Sequence, residues 1–207
     1  FKGSLASQEV ADLMSEVAHE LFPSAKILKL PFADGGDGSL DVLLRQGYKE
    51  IAVHSFDALM QPIQTRYGLH KSNEGTTAFL EMASICGIAS LSYNELRPHF
   101  ASSYGLGEVA HQVLDTDVDH IIVSVGGSAS TDGGLGFLTG IGAIVRDDQG
   151  VRVPPNLQGL SRVATIDLAL LHPRTKEVKW TFLVDVDNPL VGENGAAYIF
   201  GPQKGLK

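Results

Sequence analysis

From Ser7 onward, apolar residues Val10, Leu13, Met14, Val17, Ala18 and Leu21 recur at helical spacing, with Glu9, Asp12, Glu16 and Glu20 opposite them. The pattern predicts an amphipathic helix entered through Ser4 or Ser7 and stopped by Pro23. Residues 26–31 (KILKLP) predict a strand, 33–39 (ADGGDGS) a Gly-rich acidic loop, and 40–46 a short helix capped by Ser39. Residues 51–53 form a brief strand, while Ile63, Thr65, Tyr67 and Leu69 alternate with polar neighbours as a half-buried antiparallel strand does. A turn at 73–75 returns the chain through 76–80, and with no helix in this stretch the sheet is expected to be mixed.

Ser102 and Ser103 lead into a helix with Leu106, Val109, Ala110, Val113 and Leu114 on one face. Next comes HIIVSVGGSASTDGGLG at 120–136: a β-branched apolar run ending in paired glycines, then a polar loop and the start of another helix. Glycines 136, 140 and 142 recur near one face of that helix, which predicts close packing; the GxGxxG spacing is absent. Residues 143–146 and 151–153 flank a DDQG turn as a hairpin, and 178–184 (VKWTFLV) is the last clear strand, running into DVDNP.

Composition narrows the class. The chain has 207 residues, 43% of them hydrophobic, enough for one large or two small domains with a real core. Its formal charge is −8 and its 16 Lys and Arg are scattered, so neither nucleic acid nor an anionic membrane is an expected partner. A single cysteine, Cys86, rules out an internal disulfide framework and fits a reducing cytoplasm; within SICGIA it reads as a buried, inert thiol. No apolar run approaches the roughly 20 residues needed to cross a bilayer. The seven histidines show neither HxH nor HExxH spacing, so a zinc site is not expected.

Chemistry concentrates at the ends of the predicted strands. In the loop 126–134, paired glycines can turn backbone N–H groups inward, the following helix N-terminus adds partial positive charge, and the hydroxyls can donate to an anion. Asp132 inside that loop either meets a metal or substrate hydroxyl or simply caps the helix. Asp34 and Asp37 pose the same question in 33–39, since ligands of open α/β sheets bind at strand C-terminal ends. Glu81, between a strand and the segment 82–88, reads equally as a site residue or as a carboxylate at a helix N-terminus. Asp185 and Asp187, two apart at a strand end and followed by Asn188-Pro189, can offer oxygens to one Mg²⁺ where the chain bends. Lys204 stands in GPQKG, and no Walker A sequence is present.

Taken together, FKGSL at 1–5, ADGGDGS at 33–39, GGSASTDGG at 126–134, DVDNPL at 185–190 and FGPQKG at 200–205 resemble the bacterial class I glycerate kinases, in one order over essentially the whole chain. The resemblance implies ATP-dependent phosphorylation of D-glycerate, usually to the 2-phosphate, in a cytoplasmic enzyme. It also implies the two-domain α/β glycerate kinase-type fold, with a Rossmann-like domain made from both chain ends and a second α/β domain, of mixed sheet, inserted between them. On that expectation 1–55 is the N-terminal part of the Rossmann-like domain, incomplete here, and 56–207 is the inserted domain, returning to the first near its end. Family members begin with a strand before FKGSL and continue well past GPQKG, so the chain is expected to be a fragment. They usually carry Glu where Asp37 stands and Asn where Thr131 stands.

Phosphoryl transfer needs a metal, cations, N–H donors and a proton acceptor. The expected roles are Asp187 and Asp185 as Mg²⁺ ligands or proton acceptor, Asp187 being oriented by Asn188, and Lys2 and Lys204 as cations for phosphate or carboxylate. Ser4, Asp34, Gly35, Gly36, Asp37, Gly126, Gly127, Ser128, Thr131, Asp132, Gly133, Asn188 and Lys204 are expected to hold substrate or phosphate. The small molecules are glycerate and ATP, with Mg²⁺ as cofactor, and a homodimer is compatible with the sequence. Two rival readings remain at this level. One is a Mg²⁺-dependent phosphohydrolase, whose nucleophile strand the Asp185/Asp187 pair resembles, although that class carries its DxD early and only 20 residues follow Asp187 here. The other is a non-catalytic hydroxy-acid or nucleotide-binding protein that has kept the loops.

Overall fold

The computed structural model describes residue 5 and residues 7–206. The N-terminal amphipathic pattern forms α1 (Ser7–Leu21). The next helix is α2 (Ser39–Arg45), followed by β1 (Lys49–Phe56), β2 (Pro62–Ser72), β3 (Gly75–Glu81) and the one-turn α3 (Met82–Cys86). Then come α4 (Tyr104–Leu114), β4 (His120–Ser124), α5 (Leu135–Gly140) and β5 (Ile144–Arg146). The chain continues through α6 (Leu157–Leu160), β6 (Thr165–Asp167), β7 (Lys179–Leu183) and α7 (Ala196–Phe200).

Five strands form one sheet in the order β1-β2-β3-β4-β7. The first two pairings are antiparallel, as the hairpin pattern requires; β3–β4 and β4–β7 are parallel, each closed by a helical crossover. The expected mixed sheet is present. The expected domain boundary at 55/56 falls inside β1, all eight residues of which pair with β2.

Strand alternation puts Tyr67, Ala78 and Leu80 on the face covered by α4, where Leu106, Val109, Ala110 and Val113 complete a core closed by Ile121 and Val123. Their neighbours Gly68 and Phe79 point to the opposite face, where α2 lies. A Cβ on Gly68 would stand 2.7 Å from Leu40 Cδ1, so the absent side chain lets α2 sit down on the sheet. Cys86 is buried in the core, and that burial pushes its thiol up to about 12, in keeping with an inert group.

Three local expectations are corrected. Residues 26–31 form no strand; Leu28 and Leu30 are exposed and no neighbouring strand pairs with them among the described residues. Residues 151–153 touch β5 through a single bridge, Arg146 to Arg152, while the strand that pairs with β5 is β6. Asp147 is the cause: its Oδ1 accepts from the N–H groups of Gln149 and Val151 and closes a tight loop, and Pro154-Pro155 has no N–H with which to extend a ladder. Ser39 does not cap α2. The cap position is Gly38, at φ 83°, and Ser39 begins the helix with its hydroxyl donating to the Gly36 carbonyl at 2.8 Å.

Candidate functional site

β3, β4 and β7 are parallel neighbours, so the segments leaving their C-terminal ends emerge side by side. The segment after β4 is the glycine loop 126–134, and the segment after β7 holds Asp185 and Asp187. The acidic loop 33–39 reaches the same end although no strand precedes it. Gly126 N–H donates to the Gly35 carbonyl at 3.2 Å, and Val125 N–H to the Leu183 carbonyl at 3.4 Å. A Cβ on Gly126 would lie 2.8 Å from Gly35 O, so the two loops touch backbone to backbone. The position of a Cβ on Gly127 is 3.5 Å from both oxygens of Asp37, and one on Gly35 is 3.7 Å from Leu183 Cβ.

Glu81 joins these pieces from beneath. It is 3% exposed at the end of β3, and its Oε1 accepts the Leu40 N–H of α2 at 3.0 Å. It stands at the cap position of α3 but makes no side-chain cap there; from the sheet face on which α2 lies it caps that helix, which has no side-chain cap of its own. Burial raises its pKa, and the Leu40 hydrogen bond works against that rise.

Asp132 is fully committed to the protein. One oxygen accepts from Ser103 N–H (2.7 Å), Ser103 Oγ (2.8 Å) and Gly136 N–H (3.2 Å); the other accepts from Ser130 Oγ (3.3 Å) and Gly134 N–H (3.1 Å). It therefore ties the starts of α4 and α5 together, and of the two roles open to it in the sequence the geometry supports capping. Ser103, which the sequence singled out only as a helix entry, completes the arrangement by accepting Phe137 N–H at 2.9 Å. Nothing local to GGSASTDGG indicates a partner about thirty residues earlier.

GPQKG also arrives here. Lys204 is buried, donating to Ser128 Oγ at 2.9 Å and to the Ser130 carbonyl at 2.5 Å. Burial pulls its pKa down to about 8, against the pull of the Asp132 charge. The Ser128 hydroxyl in turn donates to the Ser130 carbonyl at 3.2 Å.

What is left unspent in the loop is informative. Gly126, Ala129, Gly134 and Gly136 use their N–H groups on protein oxygens. Among the described residues, the N–H groups of Gly127, Thr131 and Gly133 have no protein acceptor, and the buried Thr131 hydroxyl has no partner either. A buried hydroxyl without a partner is uncommon; beside it, the free N–H groups of half-buried Gly127 and Thr131 and exposed Gly133 follow a glycine turn, with Gly127 at φ 70° and Gly133 at φ 61°, a donor arrangement suited to an anion.

Asp34, Asp37, Asp185 and Asp187 are exposed, and of these Asp37 stands beside Gly127. Asp34 already accepts Gly36 N–H at 2.9 Å. Asn188 donates to the Asn194 carbonyl at 3.0 Å, an arrangement that fixes the bend after β7 rather than orienting Asp187. The aspartates supply hard oxygen donors, and a Mg²⁺ ion needs only one or two of them when substrate phosphates and water complete its shell; the donor set fits that ion. Lys2 and Ser4 lie outside the described residues.

Residues 1–207 match the sequence model of the glycerate kinase family. The chain is 36% identical over 207 residues to the glycerate 2-kinase of Escherichia coli K12 and 35% identical over 206 residues to the glycerate kinase of Bacillus subtilis 168, covering 99% of this chain in each case. It spans about half the length of these relatives, 54% and 53% respectively. The crystal structure described as glycerate kinase 2 from Salmonella typhimurium LT2 superposes with a TM-score of 0.84 at 36% identity, over 100% of this chain and 56% of that one. With the motif loops meeting at one end of the same fold, the chain belongs to the glycerate kinase family.

Proposed function

We propose that this chain is part of a kinase that transfers the γ-phosphoryl group of ATP to a hydroxyl of D-glycerate, the 2-hydroxyl being preferred, in the cytoplasm. The observation that supports the reading best is the loop of free donors at Gly127, Thr131 and Gly133, with Lys204 bound to Ser128 and Ser130 of the same loop and Asp37 beside Gly127. A small hydroxy acid and a phosphoryl group need those two chemistries together: donors for oxyanions, and carboxylates for a metal and for the hydroxyl proton.

In the proposed step the glycerate hydroxyl oxygen attacks the γ-phosphorus, the bond to the bridging oxygen breaks, ADP leaves, and the hydroxyl proton passes to a carboxylate. Asp187 is assigned as that acceptor and Asp185 as a metal ligand. Mg²⁺, when bound, neutralises charge on the phosphate oxygens. The free N–H groups of the loop bind the carboxylate or the transferring group, and Lys2 and Lys204 add positive charge. Ser128 and Ser130 hold the Lys204 ammonium against the loop.

The domain organisation is part of the proposal. The five-stranded sheet with α3 to α7 forms the body of the inserted domain, and the segment containing α1 belongs to the Rossmann-like domain, whose other elements lie in the half of the relatives that this chain does not span.

In the full-length protein, Asp187→Asn is expected to lower turnover by about 10²- to 10⁴-fold, the usual contribution of a positioned acid–base group, with the fold intact. ADP release with D-glycerate measures the rate, and phosphorus NMR of the product separates the 2- from the 3-phosphate. A near-normal rate removes Asp187 from the site. Phosphate release from phosphoesters without ATP would identify a hydrolase instead, and binding without turnover a non-catalytic protein.

A further inference from the structure

A second cluster of metal-binding side chains lies at the opposite end of the sheet from the loops described above. α4 ends at Leu114 and leads directly into the N-terminal end of β4, whereas the glycine loop leaves the C-terminal end of that strand. We propose that His111, Asp115 and His172 form a site for a divalent transition-metal ion of the zinc class, which clamps the C-terminus of α4 to the chain entering β7.

His111 and Asp115 are four residues apart at the end of α4 and so share one face. His172 approaches that face from 57 residues further on, its Nε2 standing 3.0 Å from Asp115 Oδ1. The two imidazole rings meet edge to face with centroids 4.9 Å apart. One ligand atom from each of the three side chains lies within 4.8 Å of the others. Donors around a tetrahedral zinc ion at about 2.0–2.2 Å are about 3.3–3.6 Å apart, so side-chain rotations closing the set by about 1–1.5 Å complete the geometry.

The surroundings hold the set in place. The His172 side chain is 11% exposed, its backbone N–H donates to the Ile141 carbonyl at 3.1 Å, and its Nδ1 accepts Arg174 N–H at 3.2 Å. The Arg174 guanidinium is engaged with the carbonyls of Leu114, Thr116 and Val118 and so braces the end of α4. Among the described residues the ring nitrogens of His111 have no hydrogen-bond partner. The Asp115 side chain, 68% exposed, leaves the outer side of the site to water.

Two imidazole nitrogens and one carboxylate oxygen select Zn²⁺, Co²⁺, Ni²⁺ or Cu²⁺ over Mg²⁺ and Ca²⁺, which take oxygen donors. Binding has a definite proton cost. In the metal-free protein His172 keeps its proton on Nε2, facing Asp115, because Nδ1 accepts from Arg174. A bound ion takes the Nε2 position, the proton moves to Nδ1, and the Arg174 N–H bond is given up. The turn at 173–176 therefore feels the metal, and its Thr175 carbonyl holds Trp180 Nε1–H at 2.9 Å.

The test is a titration of full-length, metal-stripped protein with Co²⁺, read by its visible ligand-field absorption, followed by displacement with Zn²⁺ in a calorimeter. One equivalent is expected to bind, a large excess of Mg²⁺ to leave it in place, and His111→Ala and Asp115→Ala each to weaken binding about tenfold or more. Asp115 is exposed, so Asp115→Ala retains the fold by circular dichroism and decides the matter if His111→Ala does not fold. Absence of saturable one-to-one binding, or unchanged affinity in Asp115→Ala, overturns the site. The readout needs neither ATP nor glycerate, so it stands or falls separately from the kinase reading.

Discussion

Asp132 accepts five hydrogen bonds while 2% exposed, and its charge is balanced by donors alone, with Lys204 as the nearby cation. Removing such a carboxylate strands the Ser103, Gly134 and Gly136 N–H groups at once. Asp132→Ala is expected to destabilise the protein by about 3–5 kcal/mol, the range for breaking a buried charged network, as a lowered midpoint in urea unfolding. Lys204 makes the complementary case. Its folded pKa of about 8 lies below the ordinary lysine value of 10.5. Between those two values the unfolded chain binds a proton that the folded one has released, so stability rises with pH across that window. Below pH 8 both states are protonated, and the burial penalty is carried in full. The difference in unfolding free energy between wild type and Lys204→Met, in which the opposing contribution of the Cys86 thiol cancels, is expected to grow in favour of the wild type from pH 8 to 10. In the role proposed for it, neutralising phosphate charge, Lys204 would lose its proton above pH 8, and turnover is expected to fall there. The sequence made Lys204 visible as a lone cation among glycines; its burial against Ser128 and Ser130 depends on a contact more than seventy residues long in sequence, which no local pattern carries.

At the scale of elements, hydrophobic periodicity was legible wherever an element has a partner within the chain. β2, β3, α4, β4 and β7 follow their patterns closely, because each apolar stripe or alternation is decided by one neighbouring surface; α1 forms as its pattern predicts although no described surface buries its stripe. Residues 26–31 carry an equally good strand pattern and form none, for a strand exists only through its ladder and nothing stands beside this one among the described residues. β5 shows the reverse: its adjacent segment was the natural partner, but an aspartate-closed loop and two prolines diverted pairing to β6. The glycine spacing after Gly134 was read correctly as packing. A Cβ on Gly140 would stand 2.6 Å from Tyr104 O and 2.7 Å from Glu108 N, and one on Gly107 would stand 2.3 Å from Phe137 O. α4 and α5 thus cross with their backbones in contact, and neither atom met is a side chain able to move aside. Gly140→Ala is expected to cost about 1–3 kcal/mol or more by overpacking, and because Asp132 links the same two helices the donor loop should loosen with it. Thermal unfolding measures the first effect, and a raised KM for glycerate the second.

At the scale of the whole molecule, the feature that demands an explanation is the surface of α1. It is strongly amphipathic, yet it has no buried residue, and Leu13, Met14, Val17 and Leu21 are all at least half exposed. Leu28, Leu30 and Phe32, just beyond it, are exposed as well, with Phe32 at 82%. A second apolar run, Phe182 to Val186 and on to Leu190 and Val191, is exposed at the β7 edge of the sheet. Exposed apolar area of this extent is unusual on a finished surface and marks an interface. The α1 run belongs to the segment proposed above as part of the Rossmann-like domain, the second run begins on β7, the edge strand of the sheet, and the unpaired 26–31 segment is without the neighbouring strand that such a domain would supply. The proposed two-domain organisation accounts for them: the chain spans about half the length of its relatives, and a Rossmann-like domain packed on both runs would cover them. The expected result is that a hydrophobic dye such as ANS binds the 207-residue chain strongly and the full-length protein weakly. Amide exchange at 13–32 should also slow by at least tenfold in the longer protein while exchange in β3 and β4 is unchanged. Equal dye binding and equal exchange in the two proteins would show that α1 faces solvent in both, and would remove the two-domain assignment for the N-terminal segment.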